Sequence, residues 1–285
     1  MLFTDNDDLL REEHKGFCLH AHNDHTNKRL WVFAYRVQDW TDFANYVDRH
    51  ARAKGFGKII VPTREADAAA LAATGFINEA RAEGFFRGET AYFLVRYLCP
   101  QRRKSTLLDE ELAMLADIQR QPRKAPAAPE PGFELRPAAW GDIPELAALF
   151  DRVFASYPTP INDPEYLALS MRLGTIFQVA RHNGRIVGAA AAETDPAQRH
   201  AEMTDCATHP DYRGQGLASQ LIAALEEECA ARGYRCFWSL SRAGSYGMNL
   251  VFHRLGYRHG GTLINNAHIG GRYEDLHLWV KYPVT

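Results

Sequence analysis

A glycine-rich segment between a strand and a helix constrains this chain more than any other feature. Residues 201–218 read AEMTDCATHPDYRGQGLA, with polar and apolar residues alternating from Ala201 to Thr204 and an amphipathic stretch after Gly216. The first N–H groups of a helix lack intrahelical partners and carry partial positive charge. Because Gly214 and Gly216 have no Cβ, an anion can approach this backbone closely. The segment therefore predicts a phosphate-binding turn, and a helix start without any ligand is the alternative.

The residues around this turn alternate between strand and helix periodicity. From residue 133 onward the pattern predicts the order β-α-α-β-β-β-α-β-α-β-β, with a tight hairpin at Asn183-Gly184. Hairpins combined with β-α-β units predict an α/β fold of the α+β type, in which helices cover a mixed sheet.

A proline-rich stretch divides the chain. Residues 119–132, QRQPRKAPAAPEPG, contain four prolines and lack apolar periodicity, which is typical of a linker. A length of 285 residues is also more than one average domain. We therefore predict an N-terminal α/β domain over residues 1–118 and a second domain over residues 133–285.

The N-terminal domain repeats the pattern of the second domain in weaker form. In each, a helix ends at a glycine followed by an aromatic residue, and a strand, a second such helix and two more strands follow. The glycine-aromatic pairs are Gly55-Phe56, Gly75-Phe76, Gly233-Tyr234 and Gly256-Tyr257. This correspondence suggests a divergent internal duplication, with chance similarity as the alternative. Different strand orders in residues 40–97 and 218–282 would contradict the duplication.

The glycine-rich turn resembles motif A of the GCN5-related N-acetyltransferases, to which Arg213, Gly216 and Ala218 conform. The resemblance covers residues 133 to about 282. It implies an acetyltransferase fold in the second domain, preceded by a smaller α/β domain that is a candidate degenerate copy. It also implies acetyl-CoA as co-substrate, with pantetheine contacts from Cys206 and Thr208. The residues implied to hold the pyrophosphate are Arg213, Gly214, Gln215, Gly216, Leu217 and Ala218.

Acetyl transfer to an amine needs a base, because a lysine-type ammonium with a pKa near 10.4 is almost fully protonated at pH 7. Glu202 lies where the family frequently has a glutamate and is our candidate for the base. Asp205 has the opposite parity along the strand, unless a bulge turns it, and is a candidate for binding a substrate ammonium. An ion pair with a structural arginine is the alternative for either carboxylate.

The thiolate leaving group also needs a proton. The family often places a tyrosine in the next-to-last helix for this purpose, but the corresponding residue here is Phe252. We therefore expect the proton to come from Tyr246 or from water, with a packing role as the alternative for Tyr246.

Composition argues against several classes of function. A formal net charge of −2 does not fit a general nucleic-acid binder, and no apolar run approaches the ~20 residues of a membrane span. Five cysteines without a CxxC pair predict neither a disulfide framework nor a thiolate zinc site. The cluster His20-Ala-His22-Asn-Asp-His25 is a lone H-x-H-x2-H pattern without supporting carboxylate geometry and is more typical of exposed polar sequence, so we expect no metal. Free thiols and an acidic start without a secretory signal predict a cytoplasmic protein. A homodimer is left open.

Nearly the whole chain resembles the β-lysine N-acetyltransferases, through GFGKI and GFINEARAEGFFRGETAYF in the first domain and SRAGSYGMNLVFHRLGY in the second. This resemblance implies acetylation of the ε-amine of β-lysine to Nε-acetyl-β-lysine, an osmolyte. We expect Asp205 and Glu202 to bind amines. The candidates for the carboxylate or an amide network are Arg242, Asn249, Asn265 and Asn266.

Three other functions remain open at this point. One is acetylation of another polyamine, amino acid or aminoglycoside, a second is acetylation of a protein amine, and a third is a non-catalytic acyl-CoA-binding module. For Asn265-Asn266, a turn at a strand end is the alternative to substrate binding.

Overall fold

Thirteen strands form one continuous sheet in the computed structural model, which describes residues 8–155 and 157–282. Residues 8–97 are called the first half below and residues 133–282 the second half. The elements of the first half are β1 (Leu9–Glu13), β2 (Phe17–Asp24), β3 (Arg29–Val37), α1 (Trp40–Ala53), β4 (Lys58–Arg64), α2 (Glu65–Ala73), β5 (Ile77–Gly84) and β6 (Gly88–Tyr97).

Helix α3 (Leu108–Arg120) connects the two halves. The elements of the second half are β7 (Phe133–Pro137), α4 (Ile143–Val153), α5 (Pro164–Arg172), β8 (Ile176–His182), β9 (Arg185–Asp195), β10 (His200–Thr208), α6 (Leu217–Ala231), β11 (Cys236–Arg242), α7 (Tyr246–Arg254), β12 (Arg258–Ile269) and β13 (Arg272–Lys281). This order confirms the predicted α+β mixed sheet. Asn183 and Gly184 have φ of 50° and 76°, as a type I′ turn between β8 and β9 requires.

Apart from the edge strand β7, which has no counterpart among residues 8–97 of the first half, the two halves have the same strand order. The sheet runs β1-β2-β3-β4-β6-β5 through the first half and continues as β12-β13-β11-β10-β9-β8-β7. In each half a parallel pair, β3 with β4 and β10 with β11, is followed by two antiparallel strands in the same arrangement. The duplication hypothesis requires the same strand order in residues 40–97 and 218–282. The sheet has that order, so it does not contradict the hypothesis. Common ancestry of the halves stays a hypothesis.

The halves meet at a close backbone contact between β5 and β12. Gly261 pairs with Ala80, and its φ of 144° is one that side-chain-bearing residues rarely adopt. A Cβ on Gly260 would lie 2.1 Å from the carbonyl oxygen of Arg81, and one on Gly261 would lie 2.2 Å from that of Glu79. Glycine is therefore needed at this junction, because any side chain would push the halves apart.

The sheet is strongly curved. Strands β3 and β10 are seven positions apart, which in a flat sheet would be roughly 34 Å at the usual inter-strand spacing. Nevertheless, the ring of Phe93 lies 6.1 Å from Trp31 of β3 and 6.2 Å from Trp238 of β11. Across the opening, the backbone N–H of Arg87 donates to the carbonyl of Gln198 at 3.1 Å. The curvature thus brings side chains of both halves onto one concave face.

Helix α3 and the proline-rich stretch lie against the second half. Leu115 and Ile118 of α3 belong to the core that includes α6 and α7. Beyond α3, the N–H of Lys124 donates to the carbonyl of Arg254, and Gln220 Nε2 donates to the carbonyl of Ala127. The boundaries at 118 and 132 stay predictions, although α3, which they assign to the first domain, packs on the second half.

The residues that the structure describes contain neither a membrane-spanning helix nor a metal-binding cluster. Within residues 8–155 and 157–282, no helix is long and apolar enough to cross a bilayer. The same residues contain no group of three or more His, Cys, Asp or Glu side chains arranged to hold a metal ion. His25 of the histidine cluster stacks edge-on against Phe56, with 5.2 Å between the ring centroids.

Candidate active site

The glycine-rich turn joins the end of β10 to the start of α6. Gly214 and Gly216 have φ of 82° and 74°, in the left-handed region that favours glycine. Among the described residues, nothing lies within 4 Å of a Cβ placed on Gly214, and a Cβ on Gly216 would meet only Gln220 Nε2 at 3.9 Å. The space in front of the helix is therefore open, as an anion site at a helix N-terminus requires. Arg213 folds back, with its Nε 3.4 Å from the carbonyl oxygen of Thr208.

Strands β10 and β11 separate towards this turn. They pair in parallel from His200 with Cys236 to Glu202 with Trp238, and the described register stops there. Beyond this point, residues 203–208 and 239–242 border a gap between the two strands. Such a gap leaves backbone groups free to bind an extended amide-containing arm. Cys206 and Thr208 lie at this edge, so the pantetheine contacts predicted for them remain a proposal that the geometry permits.

A β-bulge changes the direction of Asp205. The pairing of β10 with β9 shifts between Thr204 and Ala207, and Asp205 has a φ of 52°. The extra residue breaks the simple alternation of the strand, because a bulge places two residues opposite one. Asp205 therefore lines the same cavity as Glu202, although the parity of the sequence places them on opposite faces.

That cavity has a volume of about 420 Å³ and lies on the concave face between the two halves. Its acidic residues come from β9 and β10, its aromatic walls come mainly from the first half, and it contains two arginines. The acidic residues are Glu193, Asp195, Glu202 and Asp205. The aromatic residues are Trp31, Phe33, Phe85, Phe86, Tyr157 and Trp238, and the arginines are Arg29 and Arg242.

Burial raises the pKa of the two central carboxyl groups, those of Glu202 and Asp205, so both keep their protons to a higher pH than an exposed carboxyl group does. It raises the pKa of Glu202 to about 8, with a further contribution from the charge of Glu193. It raises the pKa of Asp205 to about 7, although the hydroxyl of Tyr157 donates a hydrogen bond to Asp205 Oδ1 at 2.7 Å and acts in the opposite direction. Closely spaced acids in such a site favour a cationic guest, because an ammonium group offsets both desolvation and mutual repulsion.

His200 also lines this cavity but is a weak candidate for the base. Burial lowers its pKa to about 4, so the ring is neutral at pH 7. Trp238 Nε1 donates to its Nδ1 at 3.1 Å, and the ring stacks on Phe85 with 4.0 Å between centroids. A general base works best with a pKa near the working pH, which favours Glu202 over His200.

The structure corrects two of the substrate-binding predictions, those for Asn249 and Asn265. Asn249 is fully buried, and its Nδ2 donates to the carbonyls of Arg242, Ala243 and Ser245 at the start of α7. Asn265 donates from Nδ2 to the carbonyls of Arg102 and Lys104. The amides of Asn249 and Asn265 thus support the backbone. Asn266 is fully buried outside the cavity lining, but neither polar atom of its side-chain amide has a hydrogen-bond partner among the described residues, so its substrate-binding role stays a prediction. Arg242 does line the cavity, at a half-exposed position beside Glu274.

Tyr246 does not lie in the cavity. It begins α7, is 40% exposed, and its hydroxyl lies 3.4 Å from Asp117 Oδ2 of α3. The start of α7 faces α3, and protonation of the leaving group by Tyr246 stays a prediction. The tyrosine that reaches the acidic residues is Tyr157, in an irregular segment between α4 and α5. Sequence periodicity carries no signal in such a segment, and only the run Tyr157-Pro158-Thr159-Pro160 marks it as a constrained loop.

Comparison with known proteins identifies this arrangement. The sequence profile of the acetyltransferase (GNAT) family matches residues 143–257. The N-acetyltransferase YodP of Bacillus subtilis is 38% identical over 269 residues, which cover 94% of this chain and 94% of that protein. The chain belongs to the acetyltransferase (GNAT) family. It is therefore an N-acetyltransferase with acetyl-CoA as the acetyl donor, and binding of that donor at the glycine-rich turn stays a prediction.

Two further proteins are similar to this chain. A β-lysine N(6)-acetyltransferase of Methanococcus maripaludis is 29% identical over 255 residues, covering 90% of this chain and 93% of that protein. A GNAT superfamily phosphinothricin acetyltransferase from Sinorhizobium meliloti, solved in complex with AcCoA, aligns with a TM-score of 0.47 and 21% identity. That alignment covers 53% of this chain and 88% of that one.

The raised pKa of Glu202 predicts a stability effect in the acetyltransferase. Between pH about 4.5 and about 8 the folded protein binds more protons at this group than the unfolded chain, so the free energy of unfolding falls as pH rises. Glu202→Gln removes this term and should raise Tm more at pH 8 than at pH 5. Each kcal/mol of change in the free energy of unfolding corresponds to a shift of about 2–4 °C in Tm.

Thermal unfolding of both proteins at the two pH values measures this effect. Glu227→Gln, the same change at an exposed position of α6, is the control and should leave the pH dependence unaltered. A Tm difference between wild type and Glu202→Gln that is the same at pH 5 and pH 8 would contradict the assignment.

Proposed function

We propose that this acetyltransferase transfers the acetyl group of acetyl-CoA to the ε-amine of β-lysine and forms Nε-acetyl-β-lysine, a compatible solute. The observation that carries the proposal is the cavity between the halves, which combines four acidic residues with two arginines. β-Lysine has two ammonium groups and one carboxylate, so it needs both kinds of partner. The likeness over nearly the whole chain to a protein named β-lysine N(6)-acetyltransferase supports the same acceptor.

The chemistry assigned to Glu202 is removal of a proton from the ε-ammonium. The neutral amine then attacks the thioester carbonyl, a C–N bond forms, and the C–S bond breaks with release of the thiolate of CoA. The second proton of the amine nitrogen balances the charge of the thiolate, carried by water because the position of the family's tyrosine is occupied by Phe252. Asp205 binds the β-ammonium, and Tyr157 holds the Asp205 carboxylate in place through its hydrogen bond.

We also propose a cytoplasmic location for this reaction. All five cysteines, Cys18, Cys99, Cys206, Cys229 and Cys236, are free thiols. Free thiols persist in a reducing compartment, which is also where acetyl-CoA is available.

The choice between lysine isomers is the prediction that tests the acceptor. β-Lysine should be acetylated on its ε-amine in preference to α-lysine, whose second ammonium lies one carbon away. When α-lysine binds, its displaced ammonium does not reach the buried Asp205, which then lacks an ammonium partner. This costs roughly 1–3 kcal/mol or more of binding free energy. The preference should therefore be about tenfold to a few hundredfold in kcat/KM, and Asp205→Ala should lower the activity on β-lysine and reduce this preference.

A competition assay decides the question. Purified protein, acetyl-CoA and equal amounts of the two isomers are incubated, and the products are identified by mass spectrometry. Equal rates on both isomers, or no acetylation of β-lysine at saturating acetyl-CoA, would remove the β-lysine assignment. Turnover on peptides alone would favour a protein acceptor. Tight CoA binding without thiol release on any amine would favour a non-catalytic module.

A further inference from the structure

Arg29 is a buried cation of the first half that lines the acceptor cavity of the second. It is the first residue of β3 and only 5% exposed, yet it borders the same cavity as the acidic residues of β9 and β10. A buried guanidinium is costly unless its N–H groups have acceptors. The hydrogen-bond partners of Arg29 therefore show how its side chain is fixed and which of its N–H groups can still donate to a ligand.

Two neighbours hold Arg29 in one orientation. Its Nε donates to Asp24 Oδ2 at 2.7 Å, and its Nη1 donates to the carbonyl oxygen of Asn266 at 3.0 Å. Asp24 is fixed in turn by the backbone N–H and the side-chain amide of Asn27, at 2.9 and 2.7 Å. These contacts use two of the five N–H bonds of the guanidinium. The remaining N–H groups are available on the Nη side of a planar fork, the geometry that suits a carboxylate.

The seam between the halves fixes Arg29 relative to the second half. Three successive carbonyls in an irregular part of β12 each accept a hydrogen bond from a buried cation of the first half or the segment after it. The pairs are Lys58 Nζ with Ile264 O at 2.8 Å, Arg102 Nε with Asn265 O at 3.1 Å, and Arg29 Nη1 with Asn266 O at 3.0 Å. A binding group held in this way loses little conformational entropy when its ligand arrives.

Arg242, the other arginine of the cavity, is in a different position. Its side chain is 49% exposed, and its Nη2 already contacts Glu274 Oε1 at 3.0 Å. Solvent-exposed ion pairs contribute little to binding, because water screens them. The buried and fixed Arg29 is therefore the better anchor for a carboxylate.

We propose that Arg29 binds the carboxylate of the acceptor, and that the first half thereby makes the enzyme prefer diamino acids to simple diamines. This inference rests on the proposed function and extends it to a specificity residue outside the acetyltransferase half. The methylene chain of the acceptor lies along the buried rings of Trp31, Phe85 and Phe86, also from the first half. The ammonium groups face the acids of β9 and β10.

The test compares two acceptors that differ only in the carboxylate. 1,4-Diaminopentane has the carbon chain and both amines of β-lysine without the carboxylate. Wild-type enzyme should prefer β-lysine by about 10- to 100-fold in kcat/KM, the usual range for hydrogen bonds to a charged group. In Arg29→Met the value for β-lysine should fall to about that for the diamine, while the value for the diamine changes by less than about threefold.

Two further variants make the result specific. Arg242→Met removes the exposed arginine and should keep most of the preference for β-lysine. The double variant Asp24→Asn/Arg29→Met avoids a buried unpaired Asp24 if the single variant unfolds, and acetyl-CoA binding shows that each protein is folded.

Each possible outcome has a distinct meaning. Equal kcat/KM of wild-type enzyme for the two acceptors would overturn carboxylate recognition and leave the acetyltransferase activity intact. A preference lost in Arg242→Met but kept in the Arg29 variants would assign the carboxylate to Arg242 and overturn the inference. No turnover of either acceptor by folded wild-type enzyme would contradict the proposed function, and this inference with it.

Discussion

Replacing Glu202 with glutamine is expected to lower kcat/KM for acetyl transfer by about 10²-fold or more near neutral pH, the usual scale of general-base catalysis. Glutamine keeps the shape of the side chain but cannot accept the proton of the substrate ammonium. In wild-type enzyme, kcat/KM should rise with pH through about 8, because the carboxylate form of Glu202 increases over that range. The deficit of the variant should shrink at high pH, where the amine loses its proton unaided.

Initial rates from pH 6 to 10, followed by release of the CoA thiol, measure this prediction. Glu227→Gln again serves as the control, because it makes the same chemical change on the exposed face of α6. A loss that stays constant across the pH range would show that Glu202 binds substrate or supports the structure and does not act as the base.

Replacing Gly216 with valine is expected to raise KM for acetyl-CoA about tenfold or more while kcat at saturating acetyl-CoA changes little. Gly216 has a φ of 74° at the N-cap of α6, which a β-branched residue adopts only with strain. A side chain there would also fill the space that a phosphate needs to reach the first N–H groups of the helix. The loss of affinity should therefore appear in the binding of acetyl-CoA and not in the binding of the acceptor amine.

Gly184→Val is a matched control for this substitution. Gly184 has a φ of 76° in the β8–β9 turn, and nothing among the described residues lies within 4 Å of a Cβ placed there. Both variants impose the same backbone strain, but only Gly216 borders the proposed phosphate site. Titration calorimetry with acetyl-CoA and the KM of each variant distinguish them. An unchanged KM in folded Gly216→Val would place the pyrophosphate elsewhere.

The parts of this protein that depend on contiguous residues could be predicted from its sequence. The order of elements in the second half, the type I′ hairpin at Asn183-Gly184 and the glycine-rich turn before α6 all follow from local patterns. Periodicity, turn chemistry and glycine spacing act over a few residues, so they are legible without a fold. The similarity between the halves was also visible, because each half repeats the same local pattern.

The acceptor cavity, in contrast, was decided by the tertiary structure. Asp205 enters it only because a bulge breaks the alternation of β10, and Tyr157 reaches it from an irregular loop. The amides of Asn249 and Asn265 looked available in the sequence but are used by backbone carbonyls that the fold brings to them.

The contribution of the first half was the least predictable feature. Arg29 lies 173 positions before Glu202 in the sequence, and their strands are seven positions apart in the sheet. Strand patterns specify which residues face one side of a sheet but not how far that sheet curves. The sequence by itself determined the donor-binding turn and the order of strands and helices. The curvature of the sheet and the packing of the two halves decided which side chains meet around the acceptor, because those contacts join residues that no local pattern relates.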